Sequence, residues 1–155
     1  MIKEFFYYNP VKLVFGEGKL QEAGKYALMY GKKALIVTTG TMFKESGLVD
    51  RLQKILKSSG VHSVYYPEVN ANPLNTQIDK GAEIARASNC KLVIGLGGGS
   101  AIDAAKGIAI VLGHKRPIWD FCIGTDVPPI TDKTYPIIAI TTTTVSSPTM
   151  IVHTI

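Results

Sequence analysis

The stretch Lys91-Leu92-Val93-Ile94-Gly95-Leu96-Gly97-Gly98-Gly99-Ser100-Ala101-Ile102-Asp103-Ala104-Ala105-Lys106 decides the fold. A short apolar run, Lys91 to Ile94, enters a glycine loop, and the loop opens into a helix-like run that ends near Val111. Strand, bare loop and helix start, in that order, make an anion site. Glycine has no Cβ to hold a phosphate away from the backbone. The N–H groups of the helix's first turn, with their partial positive charge, then face the anion. Asp103 and Lys106 fall within the first two turns and can reach whatever the loop holds. Consecutive glycines are costly in a folded chain unless something needs the backbone bare.

Working outward, Lys33-Ala34-Leu35-Ile36-Val37-Thr38 is a short apolar run of the buried parallel-strand kind. Val11 to Phe15 reads as an earlier strand, turned by Gly16-Glu17-Gly18. Leu20, Ala23, Ala27 and Tyr30 share one helical face, as do Leu48, Leu52, Ile55 and Leu56. Val61 to Tyr65 is the next strand and 67–73 a loop. Asn75 or Thr76 then caps a helix carrying Ile78, Ala82 and Ala85. After the glycine loop, Ile102, Ala105 and Ala109 line another helix, and Pro136 to Ile140 is the last strand. Strands alternating with helices predict a single α/β domain over residues 1–155, built on a parallel, doubly wound sheet of Rossmann-like type. Ligands on such sheets bind outside the carboxyl ends of the strands. Thr38-Thr39-Gly40, the glycine loop and Thr141-Thr142-Thr143-Thr144 stand at three such ends. The run from Gly113 to Thr134 is longer than most ordered connections and is expected to form a lid or substrate-side wall.

Composition narrows the functional classes. The net charge is +5, and the basic residues are scattered rather than clustered with aromatics, which argues against nucleic acid as a partner. No apolar run approaches the roughly 18 residues of a membrane span, and the start shows no signal peptide. Cys90 and Cys122 lie far apart with no CxxC, which favours free thiols in a reducing compartment, the cytoplasm. His62, His114 and His153 are isolated, so no metal is expected in this chain. Two familiar phosphate loops are excluded. No Gly-Lys-Ser/Thr follows Gly95, as a Walker A loop requires. Gly95-x-Gly97-x-x-Ser100 nears a GxGxxG fingerprint but follows the fourth strand, and the acid about twenty residues on is Asp120, inside a loop.

Gly97 to Lys106 resembles the signature of the iron-containing (group III) alcohol dehydrogenases. Val14-Phe15-Gly16-Glu17-Gly18, Lys33 to Thr38, Asn72-Pro73 and Ile140-Thr141-Thr142-Thr143 resemble further stretches of that family, so the likeness covers nearly the whole chain. The continuation Ala-Ile-Asp-Ala-Ala-Lys fits this family, while the related glycerol and dehydroquinate enzymes share a similar glycine loop.

The resemblance implies an NADP or NAD cofactor. Gly97, Gly98, Gly99 and Ser100 would hold the pyrophosphate, and Asp103 would accept a hydrogen bond from the nicotinamide carboxamide. Thr142 and Thr143 would lie along the adenosine and phosphates, and Thr38, Thr39 and Gly40 would face the adenosine ribose. Many NAD-preferring relatives carry an aspartate there. Its absence makes NADP plausible, with Thr39 as either a phosphate donor or a simple turn residue. The chain departs from the family at Val145-Ser146-Ser147-Pro148, where a Gly-Thr-Gly-Ser-Glu stretch would stand. Ser146 could replace a threonine hydroxyl, but Pro148 has no N–H to donate. The family's helical C-terminal domain, which supplies its metal ligands, has no counterpart within 1–155. The expectation is therefore a cofactor-binding domain of an alcohol/aldehyde dehydrogenase, weak or inactive alone. The alternatives are a non-catalytic nucleotide-binding module, or a remnant needing a partner chain. Surface apolar residues and the opening strand point to a homo-oligomer.

Overall fold

The computed structural model describes Glu4, Phe6 and residues 10–122, 127–142 and 149–153. In chain order they form β1 (Lys12–Val14), a 3-10 turn (Lys19–Glu22), α1 (Ala23–Leu28), β2 (Lys33–Thr39), α2 (Met42–Glu45) and α3 (Leu48–Ser58). Then follow β3 (His62–Val69), α4 (Asn75–Ala87), β4 (Leu92–Gly97), α5 (Gly99–His114), a second 3-10 turn (Ile118–Phe121), β5 (Ile137–Thr141) and β6 (Thr149–His153). The sheet order is β1-β6-β5-β4-β2-β3. The neighbours β3, β2, β4 and β5 are parallel, while β6 runs antiparallel to β5 and β1 antiparallel to β6.

The parallel strands are apolar on both faces because both faces are covered. Ala34 and Ile36 of β2, Leu92, Ile94 and Leu96 of β4, and Ile138 and Ile140 of β5 point to one side. There they meet Ala23 and Ala27 of α1 and Val49, Leu52, Ile55 and Leu56 of α3. The alternate residues Leu35, Val37, Val93 and Ile137 meet Ala82 and Ala85 of α4 and Ala105, Ile108 and Ala109 of α5. The sheet is doubly wound, as the alternation of elements predicts. The two helices on this second face lie unusually close: a Cβ on Gly81 of α4 would stand 2.5 Å from Ile108 Cδ1, and one on Gly107 of α5 would stand 2.9 Å from Ile78 Cγ2.

Four expectations change. The sequence predicts Pro136 to Ile140 as the last strand, but residues 149–153 add β6, whose backbone pairs on both sides, opposite Ile137–Thr141 and Lys12–Val14. Strand β3 runs through Pro67 to Val69; it is an edge strand, where a missing N–H is tolerated, and the Pro67 carbonyl accepts the Gly40 N–H at 2.9 Å. Neither Asn75 nor Thr76 caps α4. Leu74 is the N-cap, and the Gln77 side chain accepts the Leu74 N–H at 3.1 Å.

The fourth is the long connection after α5, which is not seen as a lid. Its described parts are tied to the far end of α5, where the Thr131 N–H donates to His114 Nε2 at 3.1 Å and Phe121 meets the His114 ring edge-on. Higher up, the Ile118 N–H donates to Asp79 at 2.9 Å. Helix α5 has 16 residues, so His114 lies about 22 Å along the axis from Gly99 at 1.5 Å per residue.

Candidate functional site

The chain leaves β2 for β3 on one side and returns to β4 on the other, so the strand order reverses between β2 and β4. In an open α/β sheet the crevice outside such a reversal is where ligands bind. Val37 is in register with Gly95, and Gly97 with Thr141. Thr39, Gly97 and Thr141 therefore end three adjacent strands, with neighbours about 4.8 Å apart and the outer pair about 10 Å apart.

The central end is the glycine turn. Gly97 has φ +138°, a conformation that L side chains rarely adopt. Its carbonyl accepts the Thr142 N–H at 3.2 Å, which docks the end of β5 against the turn. Gly98 is the extended N-cap of α5 and has no side chain to cap the helix. Ile102 is the first residue whose N–H finds a helical carbonyl, that of Gly98 at 3.2 Å. By helix geometry the N–H groups of Gly99, Ser100 and Ala101 have no partner within the helix, and together they carry part of a helix-end charge of about +0.5. A Cβ on Gly99 would meet nothing within 4 Å. The backbone at this first helical position is therefore open on its Cβ side.

Ser100 stands in the first turn, and its hydroxyl accepts the Asn72 N–H at 3.3 Å. That bond turns the hydroxyl proton away from Asn72. Asn72 itself is left-handed, with φ +59°, so the loop before α4 is shaped to lean on the glycine turn. Asp103 is exposed and pairs with Lys106 at 3.0 Å on the same helix face. The pair is solvated and worth little, so either partner can be released to a ligand.

The end of β2 divides its residues by direction. Thr38 is fully buried. Its hydroxyl donates to the Gly40 carbonyl at 2.8 Å and lies 3.0 Å from the Tyr65 hydroxyl. Thr38 therefore holds the turn at Gly40 from inside. Thr39 is half-buried and points to the other face, and Gly40 is exposed with φ +64°. Thr142 is half-buried beside Gly97. Thr143 and Ser146 lie outside the described residues.

The structure thus brings Thr39, Gly40, Gly97, Gly98, Gly99, Ser100 and Thr142 to one edge, with Asp103 one turn along α5. It adds Tyr65, Asn72 and Phe43, which sequence reasoning did not name as site residues. Only Asn72 carried a visible signal, the Asn-Pro pair before a helix. Among the described residues, no group of three or more His, Cys, Asp or Glu comes together as a metal site. His114 makes internal contacts through both nitrogens, to the Ile110 carbonyl at 3.0 Å and to Thr131.

With this geometry in hand, comparison with known proteins is specific. The family model for iron-containing alcohol dehydrogenase matches residues 10–150. NADH-dependent butanol dehydrogenase A of Clostridium acetobutylicum is 40% identical over 116 residues, which is 75% of this chain and 30% of that protein. An archaeal halo-thermophilic alcohol dehydrogenase from a Red Sea brine pool superposes with a TM-score of 0.82 at 39% identity, over 91% of this chain and 37% of that one. Sulfoacetaldehyde reductase from Bifidobacterium kashiwanohense, solved in complex with NAD+, gives a TM-score of 0.80 at 33% identity, over 91% and 36%. The chain spans about a third of the length of these relatives.

Gly99 gives a clean test of the anion site, because a side chain there meets open space and costs the fold little. Gly99→Val is expected to leave stability to denaturant within about 0.5 kcal/mol of the parent. It should weaken binding of a phosphate-bearing nucleotide at least about tenfold, or 1.4 kcal/mol. Calorimetric titration with unfolding curves on the same samples checks both; unchanged affinity would remove Gly99 from the site.

Proposed function

The chain belongs to the iron-containing alcohol dehydrogenase family, and on that premise we propose that it is the family's dinucleotide-binding domain, holding NADP or NAD across the ends of β2, β4 and β5. The observation that carries this reading is the uncapped start of α5 beside the open space at Gly99, at the point where strand order reverses. The pyrophosphate sits on the N–H groups of Gly99, Ser100 and Ala101, with the Ser100 hydroxyl as a further donor. Asp103 accepts from the carboxamide. Thr39 and Gly40 meet the adenosine ribose, and Thr142, Thr143 and Ser146 flank the phosphates. When bound, the cofactor supplies the hydride acceptor or donor, and the protein supplies its position.

The hydride transfer between the cofactor and an alcohol or aldehyde is proposed for the complete family protein. The described residues offer no metal cluster, and removing an alcohol proton without a Lewis acid is slow. This chain alone is therefore expected to bind cofactor and turn over primary alcohols at least about a thousandfold more slowly than a typical enzyme. The test is NAD(P) reduction with primary alcohols, with and without added ferrous or zinc ions. A metal-dependent rate in the ordinary dehydrogenase range would overturn the binding-domain reading.

NADP is proposed to bind at least as well as NAD. Thr39 and Gly40 bring no negative charge to the ribose, and Gly40 leaves open space beside it. Thr39→Asp should weaken NADP at least about tenfold while leaving NAD nearly unchanged, because a carboxylate there repels a 2′-phosphate. Equal NADP affinity in parent and variant, measured by titration, would show the ribose lies elsewhere.

No described helix is long and apolar enough to cross a membrane, and the proposed setting is the cytoplasm. We propose self-association through the outermost strand β1, where Leu13 is 62% exposed and Phe15, just past the strand's end, is 73% exposed. Sedimentation of the parent and of Leu13→Lys/Phe15→Lys should give a larger species only for the parent; a parent that stays monomeric at high concentration rules this out.

A further inference from the structure

We propose that Phe43 is a positioning residue that braces the phosphate-facing turn; its consequence for cofactor affinity rests on the reading above. The segment after β2 turns sharply at Gly40 (φ +64°) and again at Gly47 (φ +78°). Between them α2 has only four residues. Thr41, Met42, Lys44, Glu45 and Ser46 are all exposed, and Phe43 alone turns inward, against the core face that holds α3. The segment's other side-chain contacts are local or solvated: Thr41 to Glu45 at 2.6 Å, Ser46 to the Phe43 carbonyl at 3.2 Å, and an exposed Lys44–Asp50 pair. Exposed pairs of that kind hold little. Thr38 and Tyr65 hold only the Gly40 end, so within residues 41–46 the ring is the chief side-chain anchor.

What the ring meets is the glycine turn. A Cβ built on Gly97 would stand 3.0 Å from Phe43 Cε2 and 3.6 Å from Cζ. The ring thus lies against the Gly97 backbone, on the residue whose φ of +138° sets the direction of the turn. One aromatic side chain fixes two things together. It seats the segment that follows Thr39 and Gly40, and it fills the space into which Gly97 would otherwise relax. The ribose-facing and phosphate-facing loops are held at a set spacing because both rest on the same ring.

The turn reports on itself without any ligand. The Ile102 N–H bonds to the Gly98 carbonyl and the Thr142 N–H to the Gly97 carbonyl, while the Val93 N–H bonds to the Pro136 carbonyl at the other end of β4. In the full chain, Phe43→Ala is expected to speed amide hydrogen exchange at Ile102 and Thr142 at least about tenfold relative to Val93, with Phe43→Leu restoring most of the protection. Leu52→Ala opens the same core away from the turn and serves as the control. It should lower overall stability while leaving the ratio of Ile102 to Val93 exchange within about twofold of the parent. If Phe43→Ala leaves that ratio unchanged, or Leu52→Ala raises it equally, the bracing role is overturned. NADP, NAD and inorganic pyrophosphate are titrated into the same proteins. Each should bind Phe43→Ala at least about tenfold more weakly than the parent, since the effect lies on the turn itself. Tight binding by Phe43→Ala overturns the positioning role even where exchange changes. A parent that binds none of the three overturns the cofactor reading, and the exchange contrast then decides the brace alone.

Discussion

The site depends on how closely α5 lies on β4. A Cβ at Gly95 would stand 3.0 Å from Ala105 Cβ, 3.0 Å from Ile102 Cα and 3.1 Å from the Ala101 carbonyl. Two of those three atoms are backbone, which cannot swing aside. The helix therefore rests on the strand through Gly95, Ala101, Ala104 and Ala105, with almost no side-chain layer between them. That contact is short-range and dispersive, and it holds only while the residues stay small. Its consequence is positional. The helix starts directly above the strand end, so the chain must reverse within Gly97 and Gly98. A larger residue at Gly95 would lift the helix start and splay its N–H groups away from the ends of β2 and β5.

Much of this was legible because it is local. The runs Lys33–Thr38 and Lys91–Ile94 read as buried parallel strands, and the structure places them in β2 and β4 of the sheet. The glycine turn declares itself by the absence of side chains. The less legible parts depend on partners far away in sequence. Helix α2 has four residues, too few for any periodicity, and its meaning lies in where Phe43 lands. Strand β6 exists because its backbone finds β5 on one side and β1 on the other; in sequence it is only a short apolar stretch near the end of the chain. The connection after α5 read as a lid or substrate-side wall because length is visible in a sequence and anchorage is not. His114 had no ligand spacing to betray it, yet it fixes that connection through Thr131.

At the β2 end, the sequence groups Thr38, Thr39 and Gly40 without separating their directions. Thr38 and Thr39 are adjacent in the sequence but point to opposite faces of the strand. Thr38 gives its hydroxyl to the Gly40 carbonyl beside Tyr65, so it shapes the turn. In the proposed binding mode, Thr39 and Gly40 are the residues that would meet the ribose. This separates two kinds of evidence on cofactor preference. Several relatives carry NADH dependence in their names, including the butanol dehydrogenases of Clostridium acetobutylicum and Bacillus subtilis. Preference at a 2′-position, however, is set by the charge and space at one or two side chains, which overall identity of 30–40% does not constrain. The argument for NADP therefore rests on Thr39 and Gly40 alone.

Asp103 raises the opposite electrostatic question, since a carboxylate beside a pyrophosphate is unfavourable on charge alone. Its distance and its partner resolve it. Asp103 lies four residues from Gly99, about 6 Å along the axis, beyond the N–H groups that face the anion. Lys106 sits 3.0 Å from it and offsets its charge. The carboxylate is then close enough to accept from a neutral amide at the far end of a dinucleotide, without adding net negative charge where the phosphates lie. Lys106 bonds Oδ1 alone, so the second carboxylate oxygen could accept from a ligand amide while the pair is kept. In the proposed binding mode the helix would hold two parts of one cofactor by different means: its backbone dipole for the charged middle, and a compensated side chain for the neutral nicotinamide end.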